Sequence, residues 1–445
     1  MQESPLIDAA AADVTVAWRR GVPVSAAQFL ADARRLAGQL PAAGHVLNAC
    51  ADRYRFAVAL AASILREQVT LLPPDHTPLT VRRLREFAPD LHALADESSV
   101  AMAMPTLLVP AEPAPPGSAF APPRVPDDRL CAIVFTSGST GAPVPNPKHW
   151  GALRRNIQGA CARWALGPAR PALVATVPPQ HMYGFESSVL AALFGGGALC
   201  AERPFYPGDI GAALEAAPRP RVLVTTPFHL RALLADMPQP PPADLVLCAT
   251  APLDAELARR AEAAFGAPLL EIYGCTETGQ MASRATARES EWRTLPGIRV
   301  SLREGRAWAE GGHIESPTAL GDALEPLAPD RFLLGARLAD MVNVAGKRSS
   351  LAHLEAQLRA LEGVRDCAFY VPDRQDAAGI SRLAAFVVAP GRRREALLAE
   401  LRQRIDPAFL PRPLVLLERL PRAASGKLPR ESLRALAREH GIEAP

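Results

Sequence analysis

The sequence predicts an α/β fold: a large N-terminal part built on mainly parallel sheets flanked by helices, then a small α+β unit at the C-terminal end. Three observations predict it. Short apolar runs of β type alternate with longer helical patterns, as expected for strands joined by crossover helices. The runs are continuously apolar rather than alternating, which suits strands covered on both faces. After residue 345 the rhythm changes to a shorter mixture of helices and strands.

The elements follow in order. Runs at 46–49 and 69–72 flank a helical stretch at 55–66. Further strands are predicted at 130–135, 173–177, 222–225, 245–249 and 269–272, with helices at 150–164, 186–193, 228–236 and 254–265. In the last helix Leu257, Ala261 and Ala264 share a face. Residues 109–128 contain seven prolines and read as an extended connection, and 238–243 as a shorter loop. The C-terminal unit reads as helix 351–361, strands 367–371 and 383–388, helix 394–405, strand 414–417 and helix 430–439. It spans roughly 100 residues, enough to fold alone. No internal repeat interrupts this order.

Composition narrows the function. At about 100–200 residues per domain, 445 residues suggest two to four domains with a sizeable core. Hydrophobic residues at 49% and charged residues at 21% exclude disorder as the main state. A net charge of +3 is too balanced to advertise a nucleic-acid or anionic-membrane surface. Of 49 basic residues only Lys148, Lys347 and Lys427 are lysines. Each is therefore a candidate for chemistry that needs a compact ammonium rather than a guanidinium fork. The seven cysteines are scattered, with no CxxC, and read as reduced thiols of a cytoplasmic protein rather than a disulfide framework or zinc site. The N-terminus lacks the basic and apolar regions of a signal peptide, and no run of 18 apolar residues offers a membrane span.

The strand at 130–135 runs into Thr136, Ser137, Gly138, Ser139, Thr140 and Gly141. Glycines let backbone N–H groups approach an anion and hydroxyls add donors, so this loop suits phosphate oxygens. It is not a Walker A loop, which needs GxxxxGK and then Ser or Thr; the near miss at 274–279 is followed by Gln280 and Met281. No GxGxxG follows a strand, and neither GxSxG nor HExxH occurs, so Rossmann oxidoreductases, serine α/β-hydrolases and zincins lose their usual support.

The 136–141 loop resembles the phosphate-loop signature of the adenylate-forming superfamily, which holds acyl- and aryl-CoA synthetases, nonribosomal adenylation domains and luciferases. Further segments resemble that family's motifs in its order: 177–184 with His181, Tyr183 and Gly184; 273–278 with Tyr273, Gly274, Thr276 and Glu277; 320–322 with Asp322; 336–348; and 420–430 with Lys427. Together they cover the chain from 130 to 430. The resemblance implies a large adenylation domain at 1–339 and a small mobile domain at 340–445, hinged at Asp340. It implies ATP-dependent activation of a carboxylic acid to an acyl-adenylate with release of pyrophosphate, then transfer to the thiol of CoA or of an acyl carrier protein's phosphopantetheine. It makes Lys427 the mobile lysine that meets carboxylate and α-phosphate. Thr276 contacts the α-phosphate and Glu277 holds Mg²⁺. Tyr273 stacks on adenine, Asp322 accepts from the ribose hydroxyls, and Arg337 contacts the nucleotide. His181, Tyr183, Gly184 and Thr250 line the acid pocket, and Gly346 and Lys347 face the thiol tunnel.

These roles fit elementary chemistry. Two anions must meet during adenylation, so the site needs cations and donors where charge develops. Mg²⁺ prefers one or two carboxylates plus phosphate oxygens. A point ammonium can follow charge as it moves from carboxylate to phosphate.

The sequence departs from the family in places. The usual loop continues Gly-x-Pro-Lys, whereas here Pro143 is followed by Val144 and the lysine arrives at 148, past Pro145 and Pro147. Lys148 then either supplies a charge to the β- and γ-phosphates or is solvated on an outward loop. Trp150, at the start of the next helix, is expected to be buried and to tether the loop. The 298–320 segment is short and lacks the usual Gly-Glu strand motif. The length and the wording around 136–150 and 339–348 resemble a short bacterial subgroup associated with aryl-polyene and xanthomonadin-type pigment pathways, in which an aromatic acid is loaded onto a carrier protein. Two other readings are a nucleotide hydrolase or a ligase that stops at the adenylate, and a degenerate nucleotide-binding scaffold; Lys427, Glu277 and Thr276 argue against the scaffold.

Overall fold

Strands whose every residue is buried dominate the middle of the chain: Ala172–Ala175, Arg221–Thr225 and Leu245–Cys248 are covered on both faces. The structure, a computed structural model, describes residues 2–96, 104–115, 120–137, 143–164, 169–251, 253–337, 341–344, 347–372, 382–421, 428 and 430–443. The chain divides into two compact units. One comprises Met1–Pro74, Leu84–Phe135 and Pro145–Ala339, the other Asp75–Arg83, Thr136–Val144 and Asp340–Pro445.

The larger sheet of the first unit has eleven strands. Its centre is parallel, in the order Leu269–Cys275, Leu245–Cys248, Arg221–Thr225, Ala172–Ala175, Ala198–Cys200 and Thr15–Arg19. Antiparallel strands extend it at both ends: Val22–Ser25 at one, and Gly279–Arg284, Trp292–Thr294, Arg331–Arg337 and Asp322–Ala328 at the other. A second sheet has six strands in the order Pro143–His149, Leu130–Ser137, Val69–Leu72, His45–Asn48, His92–Ala95 and Thr106–Leu108. Pairing from Leu130–Ser137 through to Thr106–Leu108 is parallel.

The predicted parallel core is present, and its crossover helices are marked by ordinary capping chemistry. The helix Ala255–Phe265 starts where the Asp254 side chain accepts from the Leu257 N–H, and it stops at Gly266 in a left-handed conformation. It buries Leu257, Ala258, Ala261 and Phe265 against the sheet. The stretch expected as a helix at 186–193 is instead a π-helical turn, Phe185–Leu190, continued by the short α-helix Ala191–Phe194. The antiparallel additions were not expected. Nor was a separate three-stranded sheet of Ile298–Arg303, Arg306–Gly311 and Ile314–Ala319. These strands are half-exposed and polar, so they lack the continuous apolar run that marks a buried parallel strand. Within the proline-rich stretch, Arg124–Pro126 pairs with Glu3–Pro5.

The second unit contains the hairpin Met341–Val344 and Lys347–Ser350, the helix Leu351–Arg359, and a sheet of Asp366–Tyr370, Ala384–Val388 and Leu414–Leu416. Helices Arg394–Leu401 and Arg430–Glu439 complete it. Its core gathers Leu354, Leu358, Phe369, Val387, Leu397 and Leu414. All seven cysteines are thiols rather than disulfides. Burial pushes Cys131, Cys161, Cys200 and Cys275 up to about 12. Among the described residues no helix is long and apolar enough to cross a membrane, and no cluster of three His, Cys, Asp or Glu could hold a metal.

Candidate active site

In an open α/β sheet, ligands bind beyond the carboxyl ends of the parallel strands. The last parallel strand here, Leu269–Cys275, turns back at once into the antiparallel strand Gly279–Arg284, with Cys275 opposite Gly279. Thr276, Glu277 and Thr278 form the tip of that hairpin. Glu277 and Gly274 are exposed, Thr276 is half-buried and Thr278 is buried. A bulge lies between Tyr273 and Gly274. A Cβ at Gly274 would overlap the Gly279 carbonyl oxygen, so only glycine lets the two strands close this tightly.

Tyr273 and Asp322 are brought together: the phenol donates to Asp322 Oδ2 at 2.9 Å. The Tyr273 ring lies against Trp292 and Phe332, with centroids at 5.6 and 5.7 Å. Asp322 is buried and sits opposite Arg337 in the antiparallel pair Asp322–Ala328 and Arg331–Arg337. Asp322 and Arg337 thus sit on paired strands, and Tyr273, from a strand separated from that pair by two others in the same sheet, reaches Asp322 through its hydroxyl, although the Arg337 side chain lies outside the described atoms.

Of the two readings open for Lys148, the structure does not match the solvated, outward one, and it places the ammonium on the hairpin. The residue is only 9% exposed. Its Nζ donates to the carbonyl oxygen of Thr276 at 2.6 Å and to that of Glu277 at 3.3 Å. Burial lowers its pKa from the ordinary lysine value, opposed first by the charge of Glu186 and then by Cys275, Glu277 and Glu315. Trp150 is fully buried, as expected, and meets Phe194 edge-on at 5.1 Å.

A set of polar groups absent from the sequence reading supports the hairpin from below. The Glu186 carboxylate accepts from the Gln280 N–H at 3.1 Å and from Asn156 Nδ2 at 2.8 Å. His313 Nε2 lies 2.8 Å from the Thr278 carbonyl oxygen, and Gln280 Nε2 donates to Ser187 Oγ at 2.8 Å. Gly279 has φ +70°, and a Cβ there would overlap both Asn156 Nδ2 and Glu186 Oε1. Burial pushes Glu186 up to about 8 against the opposing effect of Lys148, so each is the other's leading counter-charge. The sequence signals were faint. Glu186 lies two residues after Gly184, beside Ser187 and Ser188, and Asn156 and His313 carry no motif.

The expected acid-pocket residues lie where neighbouring strands end. His181 immediately precedes the short helix Met182–Gly184, makes no side-chain capping bond to it, and is half-buried. Burial pushes the Tyr183 phenol above its usual range, with Cys248 adding to the shift and the Thr225 backbone opposing it. Thr250, two residues beyond its strand, has φ +84°. For a β-branched residue this conformation stores about 1–3 kcal/mol of strain. Its buried hydroxyl has no hydrogen-bond partner among the described residues. His229, missed by sequence reasoning, lies in the first turn of the helix Pro227–Asp236, where its Nδ1 is 2.8 Å from Oγ1 of the capping residue Thr226.

Other expected residues are placed in part. Thr136 is half-buried at the end of Leu130–Ser137, where Ser137 is described by its backbone alone. Gly138, Ser139, Thr140 and Gly141 lie outside the described residues, as do Asp340, Gly346 and Lys427. In the second unit Lys347 forms an ion pair with Asp406 at 2.5 Å.

Comparison with known proteins agrees with this architecture. Residues 17–304 match the AMP-binding enzyme family and residues 353–427 its AMP-binding enzyme C-terminal domain. A 4-coumarate–CoA ligase of Rhodobacter capsulatus is 31% identical over 276 residues, covering 62% of this chain and 67% of that protein. A feruloyl-CoA synthase of an Amycolatopsis species is 28% identical over 342 residues, with 68% of each chain covered. The o-succinylbenzoate CoA synthetase of Bacillus subtilis shares the fold, with a TM-score of 0.81 at 16% identity over 98% of this chain and 99% of that one. With its large α/β N-terminal domain and smaller C-terminal domain, this chain belongs to the AMP-binding enzyme family.

Proposed function

We propose that this enzyme activates a carboxylic acid with ATP and passes the acyl group to a thiol. A carboxylate oxygen attacks the α-phosphorus, the bond to the β-phosphate breaks, and pyrophosphate leaves. The thiol then attacks the acyl carbon, loses its proton, and AMP departs. The family is one of AMP-binding enzymes, and two of the relatives are named for joining an acid to CoA, a 4-coumarate–CoA ligase and a feruloyl-CoA synthase.

The observation that carries the reading is the hairpin of Leu269–Cys275 and Gly279–Arg284, which presents Thr276 and Glu277 beside the Tyr273–Asp322 pair. In this reading Thr276 donates to the α-phosphate, and Tyr273, Asp322 and Arg337 hold the nucleoside. The exposed carboxylate of Glu277 fits a hard cation that takes oxygen ligands. Bound there, Mg²⁺ would offset the phosphate charge. Residues 136–141 cradle the phosphates, and Lys427 meets the carboxylate and α-phosphate. Asp340 is the hinge between domains 1–339 and 340–445, and Gly346 and Lys347 flank the thiol.

An aromatic acid is the favoured substrate, with His181, Tyr183, Gly184 and Thr250 lining its pocket. Support comes from the two aryl-acid ligases among the relatives and from the resemblance to the pigment-associated subgroup. That subgroup also supports carrier-bound phosphopantetheine as an acceptor, since it ends in the same thiol as CoA. The seven thiols support a reducing compartment such as the cytoplasm. A panel of acids in ATP–pyrophosphate exchange, repeated with CoA and with carrier protein, tests all of this. Acid-dependent exchange followed by thioester formation is expected. ATP hydrolysis without exchange, or exchange without thioester, would overturn the ligase assignment.

A further inference from the structure

The hairpin tip is held through its carbonyls, and side chains from separate parts of the first unit do the holding. Lys148 bonds the Thr276 and Glu277 oxygens, and His313 reaches the next one, at Thr278. Asn156 Nδ2 donates to Gln280 O at 3.3 Å, and Glu186 takes the Gln280 N–H. Backbone carbonyls at a tight turn commonly face water. Here they face an ammonium, an imidazole and an amide, all buried.

Lys148 itself is clamped. It lies on the strand Pro143–His149, where Pro145 and Pro147, both just ahead of it in the chain, fix φ at their own positions. The next residue, His149, pairs with Glu315 at 2.8 Å, and the one after, Trp150, is fully buried. An ammonium has three donors. Two are committed to the turn, and the path of the strand leaves the side chain little room to swing elsewhere.

We propose that Lys148 is a positioning residue for adenylation: by fixing the carbonyls of Thr276 and Glu277 it holds the Thr276 hydroxyl and Glu277 carboxylate in register, without itself touching phosphate. The proposal rests on the roles given to Thr276 and Glu277 above. It also accounts for the displaced lysine, which serves the hairpin rather than the phosphate loop.

The test uses the full chain with Lys148→Met, which keeps the stem and removes the donor, and Lys148→Arg, which keeps charge and donors. Pyrophosphate exchange is measured against ATP and against Mg²⁺, with and without added propylamine. A misplacement of about 1 Å at reacting groups costs up to about a hundredfold in rate. Lys148→Met should therefore lose about tenfold to a hundredfold in turnover and need severalfold more Mg²⁺, with the ATP Michaelis constant within about twofold. Propylamine should restore part of the rate, and Lys148→Arg should retain more activity than Lys148→Met. A tenfold rise in the ATP Michaelis constant with an unchanged Mg²⁺ requirement would overturn the proposal in favour of phosphate contact. Turnover and Mg²⁺ dependence both equal to wild type would reduce Lys148 to packing.

Hydrogen exchange of peptides covering 275–280, without substrate, gives a readout independent of activity. Faster exchange confined to that hairpin in Lys148→Met is expected, and unchanged exchange would sink the idea. A wild-type protein that shows no exchange of pyrophosphate with any acid would instead overturn the ligase reading, with the hydrogen-exchange comparison still deciding the role of Lys148. If Lys148→Met does not fold, Lys148→Arg is put through the same kinetic and hydrogen-exchange comparisons.

Discussion

Replacing Arg53 by methionine should weaken both the fold and the acid pocket. Arg53 is fully buried at the start of the helix Arg53–Leu65, and all three of its nitrogens are bonded. Nε donates to Ser188 Oγ at 3.0 Å. One terminal nitrogen serves the carbonyls of Cys200 and Glu202, and the other those of Ala175 and Val177, at distances of 2.6–3.3 Å. Burial lowers its pKa to about 10, a measure of what desolvating the cation costs. Two effects compete in Arg53→Met. The desolvation cost disappears, and replacing a whole buried ion pair by apolar groups is often neutral for that reason. Here, though, the acceptors stay behind, and each buried group left unsatisfied costs about 1–3 kcal/mol. The second effect should win, with a net loss of about 2–3 kcal/mol. That is a large share of the 5–15 kcal/mol, roughly, that holds a typical protein together. The urea midpoint should fall accordingly at unchanged slope. Because Val177 and Ser188 bracket His181 and Tyr183, the Michaelis constant for the acid should also rise while that for ATP changes little. A midpoint within about 1 kcal/mol of wild type would refute the argument that orphaned acceptors outweigh cation desolvation.

Three other outcomes follow from the site. Glu277→Gln exchanges an ionised oxygen ligand for a neutral amide, so the Mg²⁺ concentration giving half-maximal exchange should rise severalfold; superimposable titrations would remove Glu277 from the metal site. Lys427→Ala should cut adenylation by about a hundredfold or more while ATP still binds, and exchange within severalfold of wild type would refute its role. Burial lowers His229 to about 4, below its ordinary value of 6.5. The unfolded chain therefore takes up this proton first as pH falls, and stability attached to His229 is lost between pH 6.5 and 4, by roughly 3 kcal/mol at most. Urea midpoints across that range should fall less steeply in His229→Gln, and parallel curves would discount His229 as a source of acid sensitivity.

Legibility in the sequence followed burial. Strands such as Leu245–Cys248, buried at every position, announce themselves as apolar runs. Arg306–Gly311 buries only Ala307 and Ala309 and includes Arg306 and Glu310, and its hairpin partners are no more apolar, so that sheet left no comparable mark. The hairpin tip was legible because its chemistry is local: Tyr273 to Thr278 are consecutive. Its supports were not, because Lys148, Asn156, Glu186 and His313 come from distant positions and meet only in the folded chain. For Lys148 the two prolines ahead of it, Pro145 and Pro147, revealed a constrained path but not its direction. Tertiary packing of Trp150 decided that.

The change of strand direction at Leu269–Cys275 has an evolutionary consequence. Three of the central parallel strands end in connections of six residues: 176–181 after Ala172–Ala175, 201–206 after Ala198–Cys200, and 249–254 after Leu245–Cys248. Connections between elements accept insertions and deletions more cheaply than the elements themselves. Leu269–Cys275 is instead locked by main-chain pairing to the strand that follows, and one added residue there would slip the register and turn alternate side chains to the wrong face. One rim of one sheet thus carries three segments that can drift in length and sequence beside a strand end that cannot. A lineage built on this scaffold can exchange the acid it accepts by remodelling the drifting segments, while the hairpin proposed to meet the nucleotide is inherited intact.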